Sequence, residues 1–148
     1  MALDDDIALL ESVPLFGHLE SDALRLLAFA AEHIELEADQ ILFSYGDRSD
    51  GGYVVRKGEI LIQAPNQKEF LTVGANALIG QIALFTRNER PATAIARVES
   101  SLIRISSNLM KRCLEEYPSG AHAIYSILAQ DLKSLTRSMM RIGDTYLQ

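Results

Sequence analysis

What the sequence lacks narrows the reading before any motif is considered. It has one cysteine, Cys113, so no internal disulfide can form and a reducing cytoplasm is expected. A lone cysteine also supplies too few ligands for a cysteine-bound iron–sulfur cluster. Positive charge is short: 14 Lys and Arg against 20 Asp and Glu leave a net charge of −6. A nucleic-acid surface would need a clustered basic excess. No apolar run approaches the roughly 20 residues that cross a bilayer. The first residues, MALDDDIALL, are acidic where a secretion signal would be basic. His18, His33 and His122 lie far apart with no H-x-H spacing, so no metal site is expected. No Ser-His-Asp set or carboxylate pair stands out, and the chain does not read as an enzyme.

What is present fits one globular domain over 1–148, nearly half hydrophobic and long enough to bury a sizeable core. Residues 1–31 read as N-terminal helices broken at Pro14-Leu15-Phe16-Gly17. Ser21 is the expected cap of the second, with Leu24, Leu27 and Ala28 as its buried stripe. From His33 the period changes to alternation, and residues 32–106 read as a β-roll of about seven short strands. Lys57-Gly58-Glu59, between Tyr53–Arg56 and Ile60–Gln63, carries a hairpin signal. The expected fold is α+β and mostly β: an antiparallel β-barrel or jelly roll with short N-terminal helices and a long C-terminal helix.

The largest interruption between strands runs over 78–93. Gly80 opens a short apolar run, Gln81-Ile82-Ala83-Leu84-Phe85, and Arg90 follows a polar turn. A helix start presents unpaired backbone N–H groups, and a nearby arginine makes it a natural seat for an anion. Residues 107–148 read as C-terminal helices. Tyr125, Leu128, Leu132, Leu135, Met139, Ile142 and Tyr146 are spaced 3-4-3-4-3-4, a heptad seam. At about 1.5 Å per residue such a helix would be roughly 35–40 Å long. Most of that cannot lie against so small a domain, so pairing of two chains through the seam is the expected outlet. A core helix packed on the sheet suits its first turns better than its last.

Together these pieces resemble the cyclic nucleotide-binding domain of the catabolite-activator and protein-kinase-A regulatory-subunit superfamily, over about residues 13 to 145. Ile41-Leu42-Phe43 with Gly46-Asp47, and Gly52-Tyr53-Val54-Val55 with Lys57-Gly58-Glu59, are similar to the family's glycine-punctuated strands. The decisive likeness is Gly80-Gln81-Ile82-Ala83-Leu84, then Arg90-Pro91-Ala92-Thr93, which looks like the phosphate-binding cassette.

The resemblance implies that Arg90 pairs with the cyclic phosphate and that backbone N–H groups around Ile82 and Ala83 complete that site. It implies that Gly80 admits the sugar to the backbone, with Pro91 and Ala92 following the arginine. Two positions depart from the pattern. Gln81 replaces the glutamate that would accept the ribose 2′-hydroxyl, and Pro91 offers no N–H.

The function implied is a non-enzymatic regulatory module. A cyclic nucleotide, cAMP before cGMP, occupies the loop without any cofactor, and occupancy is relayed to a C-terminal helix that makes a homodimer. Ser126 and Gln130 are polar candidates for the base. One alternative is a ligand-free descendant serving as a dimerisation or protein-docking module. Another is the sensory half of a truncated transcription factor; the chain stops at Gln148, where a helix-turn-helix domain would begin, so no DNA binding is expected from it.

Overall fold

The computed structural model describes residues 2–130. Four helices and a two-faced β-roll make up most of it. Helix α1 (Ala2–Ser12) leads through a 3-10 turn at Phe16–His18 into α2 (Ser21–Ala30). Ser21 is the first helical residue rather than the cap; Glu20 holds the cap position without a side-chain hydrogen bond. At α3 (Ser107–Glu116) the cap is a serine: Ser106 Oγ accepts from Leu109 N–H at 3.0 Å. After a 3-10 turn at Pro118–Gly120, residues 121–130 are helical and are called α4.

The strands are β1 (Glu32–Leu36), β2 (Ile41–Phe43), β3 (Arg48–Ser49), β4 (Gly51–Lys57), β5 (Ile60–Gln63), β6 (Leu71–Val73), β7 (Leu78–Ile79), β8 (Asn88–Glu89), β9 (Thr93–Ala96) and β10 (Ser100–Ser106). They form two four-stranded antiparallel sheets, β1-β10-β4-β7 and β2-β9-β5-β6, with a ribbon of β3 and β8. The arrangement is a jelly-roll-like pair of sheets; among the described residues no barrel closes.

The expected hairpin at Lys57-Gly58-Glu59 is not one. β4 pairs with β10 and β7, whereas β5 pairs with β6 and β9, so this turn carries the chain from one sheet to the other. Gly58 has φ +101°, and a Cβ there would run into Ser100. Ser100 fixes the crossing: its Oγ accepts from Glu59 N–H at 3.2 Å and lies 2.8 Å from Val98 O.

Two cores follow from these layers. Leu36, Val55, Ile60, Ala94, Ala96 and Leu102 fill the space between the sheets. Val54, Ile103 and Ile105, from the other faces of β4 and β10, meet Phe16, Leu24, Leu27, Met110 and Ile124 from the helices. Alternation along β4 and β10 therefore serves both layers, because both faces of their sheet are covered. Each Val, Leu, Ile, Phe or Met side chain among them contributes about 1.5–3 kcal/mol when fully buried.

Helix α1 is tied down by charge as well. Asp6 is buried; its Oδ2 lies 2.6 Å from His33 Nε2 on β1 and its Oδ1 3.3 Å from Arg56 Nε on β4. Cys113 sits in the helical core, and burial, with Glu116 and Glu20 adding to it, pushes its thiol up to about 11. At neutral pH it is a protonated, inert thiol.

Candidate functional site

The 78–93 segment folds as its residue types demand. Gly80 has φ +79°, a left-handed conformation that glycine adopts without strain. That turn swings the chain from β7 into a 3-10 turn over Gln81–Leu84, whose apolar Ala83 and Leu84 face inward. Ala83 N–H bonds to Gly80 O at 3.0 Å, so one backbone donor expected to meet the anion already has an internal acceptor. The tight geometry of a 3-10 turn is the cause: it pairs the N–H of residue i+3 with the carbonyl of i, where an α-helix would give that carbonyl to residue i+4 and leave the Ala83 N–H without an internal partner.

Arg90 is held from both backbone sides. Its N–H donates to Asp47 O at 2.8 Å and its carbonyl accepts from Gly46 N–H at 2.9 Å. The turn at Gly46-Asp47, itself closed by Ser44 N–H on Asp47 Oδ2 at 2.9 Å, thus sets where the side chain begins. The guanidinium then runs inward until Arg90 is only 5 % exposed. Nη2 donates to Gly51 O at 2.8 Å. Nη1 lies so close to Gly80 that a Cβ there would sit 2.5 Å from it. Gly80 is therefore glycine twice over, for its φ and for the arginine beside it.

Burial holds the Arg90 guanidinium below its ordinary pKa, opposed by the nearby Tyr53 and Asp50 and reinforced by Arg104. A guanidinium stays protonated regardless. The shift means that the cation is short of compensating charge. Asp50 is mostly committed elsewhere, since it pairs with Arg104, whose pKa it raises against the effect of burial.

The expected residues converge on one cleft of about 360 Å³. Gly80, Gln81, Ile82, Ala83, Arg90 and Pro91 all line it. Ala92 does not; it lies beyond the lining, at the approach to β9. Two lining residues escaped the sequence reading, Ser49 and Asn88. They face one another across the β3–β8 ribbon, Ser49 Oγ lying 2.6 Å from Asn88 Oδ1 and 2.7 Å from Asn88 O. Both are polar residues in turn-like stretches, and no local pattern marks their pairing.

Of the expected seam, only Tyr125 and Leu128 fall among the described residues; Leu132, Leu135, Met139 and Ile142 lie outside them. Tyr125 is 56 % exposed, whereas Leu128 is partly buried against the helical core. The inward stripe of α4 is Ile124, Ile127 and Leu128, one position off the heptad register at its start. Ser126 and Gln130 are exposed and neither lines the cleft.

The family model of the cyclic nucleotide-binding domain matches residues 33–117, well over half of the chain. The chain belongs to the cyclic nucleotide-binding domain family. A solved cyclic nucleotide-binding-like protein from Brucella abortus is 38 % identical, with a TM-score of 0.68 over 76 % of this chain and 99 % of that one. The N-terminal domain of a transcriptional regulator from Streptomyces coelicolor is 28 % identical, with a TM-score of 0.77 over 88 % of this chain and 94 % of that one. Among curated proteins, a lysophospholipase of Aspergillus fumigatus is 26 % identical over 111 residues, 72 % of this chain. The chain spans only 7 % of that protein's length, so the match reaches one domain of a much larger enzyme. Cyclic nucleotide-binding domains of this kind are regulatory, and the match to residues 33–117 takes in the whole Gly80–Pro91 cleft. No helix among the described residues is long and apolar enough to cross a membrane.

Proposed function

We propose that this chain is a regulatory module without catalytic activity that binds a cyclic nucleotide, cAMP in preference to cGMP, in the Gly80–Pro91 cleft. The observation that carries the reading is Arg90: a desolvated cation at the wall of a cleft, with no carboxylate in ion-pair range among the described residues and nearby Asp50 paired to Arg104. A cyclic phosphate is a monoanion whose charge is shared by two exocyclic oxygens, which a guanidinium can meet with paired N–H donors. Calorimetry with cAMP and with cGMP on the full chain tests it. Saturable heat, stronger for cAMP, is expected; no heat with either at millimolar ligand would overturn it in favour of a ligand-free docking module.

Gln81 tunes the site in this reading. An amide accepts the ribose hydroxyl without charge, worth roughly 1 kcal/mol where a carboxylate bond is worth about 1.5–3. Gln81→Glu is expected to tighten cAMP about tenfold. An unchanged or weaker affinity would place the 2′-hydroxyl elsewhere.

The relay runs through the back of the same loop. Leu84, Phe85 and Arg87 form one wall of a groove of about 540 Å³, and Leu114, Ala121 and Tyr125 contribute the other. Leu84 and Phe85 also pack in one core with Ala121 and Ile124, so a shift of the 3-10 turn on ligand binding would press on α4 through that packing, and from there on the seam beyond it. Pairing of two chains through the seam is part of the proposal. Leu135→Asp is expected to convert a dimer to a monomer in sedimentation; a monomeric wild type, or a variant of unchanged mass, would refute it.

A further inference from the structure

The guanidinium of Arg90 has a second set of neighbours besides its hydrogen-bond partners. Its Cζ lies 4.3 Å from the centroid of the Phe43 ring and 5.5 Å from that of Tyr53. The two rings stand 6.0 Å apart, tilted by 30°. Phe43 ends β2 and Tyr53 lies in β4, so the rings come from different sheets and converge on this one cation. Within about 6 Å of a centroid, a cation is attracted by the ring quadrupole, by about 0.5 to 2 kcal/mol as water is excluded. Phe43 does not line the cleft. Any effect it has on an anion there must pass through Arg90.

Building on the reading of the cleft as a cyclic-phosphate site, we propose that Phe43, backed by Tyr53, is a positioning residue that fixes the plane of the Arg90 guanidinium. Three restraints act together. Gly51 O fixes Nη2, the missing side chain of Gly80 admits Nη1, and the Phe43 face sets the tilt. A hydrogen bond alone leaves a guanidinium free to swing about its own axis; a ring against its face removes that freedom. The planar fork then meets an anion without first being ordered, and the ordering cost falls on folding rather than on binding. The ring also offsets part of the cost of burying this cation, which Asp50, committed to Arg104, does not fully cover.

Phe43→Leu keeps an apolar side chain, somewhat smaller, and removes the quadrupole, while Phe43→Tyr keeps the ring. Side-chain NMR of the ligand-free chain reads the contact directly. The Arg90 Hδ and Nε–H resonances are expected upfield by ring current in the wild type and in Phe43→Tyr, and displaced toward ordinary positions in Phe43→Leu. In calorimetry with cAMP, Phe43→Leu is expected to bind about three- to tenfold more weakly, and Phe43→Tyr within twofold of wild type. Arg90 resonances unmoved by Phe43→Leu would overturn the proposal. So would resonances that move while affinity does not, since the ring would then be packing only. If the wild type itself gives no heat with cAMP, the cyclic-nucleotide reading fails separately. Titration of the Arg90 Nε–H shift with inorganic phosphate then decides the point. A response that weakens in Phe43→Leu supports positioning; an equal response, or none in either, overturns it. A cooperative melting transition in each variant establishes that it is folded.

Discussion

Arg90→Ala is expected to lower affinity for cAMP by about 10²-fold or more while leaving the fold intact. Removing one partner of a buried, hydrogen-bonded charge pair costs about 2–5 kcal/mol, because the other charge is left without compensation. In the complex that other charge would be the cyclic phosphate. In the ligand-free chain the balance differs. Truncation forfeits the bond from Nη2 to Gly51 O and the contacts with the Phe43 and Tyr53 rings, but it also removes a cation that burial destabilises. These effects oppose, and the midpoint of thermal unfolding is expected to move by no more than about 4 °C. The ligand response separates the two states. At a hundred times its dissociation constant a ligand stabilises the native state by about 2.7 kcal/mol, enough to raise the midpoint of the wild type by several degrees. In Arg90→Ala that rise is expected to vanish. Paired melts with and without cAMP measure both quantities in one experiment. A variant that still gains the wild-type rise would remove Arg90 from the site.

The two ends of this argument were unequally legible in the sequence. Arg90 and Gly80 could be read because their chemistry is local: a glycine, a short apolar turn and an arginine within one loop. The rings that hold Arg90 could not, because Phe43 and Tyr53 lie on other strands and nothing in their own stretches points to a cation. Ser49 and Asn88 were missed for the same reason, being joined only by the β3–β8 pairing. That ribbon, and β7, are two residues per strand, too short for alternation to register. The longer strands β4 and β10 were visible because glycines bound one and polar turns the other. In α4 the heptad pattern drew attention to Tyr125, whereas the domain's own core takes the neighbouring Ile124. The local pattern at Gly58 points to a hairpin. Glycine between two alternating runs suits a hairpin and a sheet-to-sheet crossing equally; only the pairing of the far strands tells them apart.

That crossing predicts a large loss of stability from a single methyl group. Gly58→Ala is expected to destabilise the chain by about 3 kcal/mol, read as a drop in the midpoint of urea unfolding at unchanged slope. Two costs add. A non-glycine residue at φ +101° is strained by roughly 1–2 kcal/mol. The new Cβ would also lie 2.7 Å from Ser100 Cα, a backbone atom that cannot swing aside. Ser100 is held in place by Glu59 and Val98, the partners that fix the crossing itself. Trimming it to Ser100→Gly is therefore expected to recover only part of the loss, since the Cα remains. Gly46 supplies the control. It has a similar φ of +85°, but a Cβ there would meet nothing within 4 Å. Gly46→Ala is expected to cost only the conformational share, about 1 kcal/mol. Equal losses at the two positions would mean that backbone strain alone is at work and that the approach of Ser100 carries no energy. A loss at Gly58 two or more times larger than that at Gly46 assigns the excess to the close packing where the chain passes between its sheets.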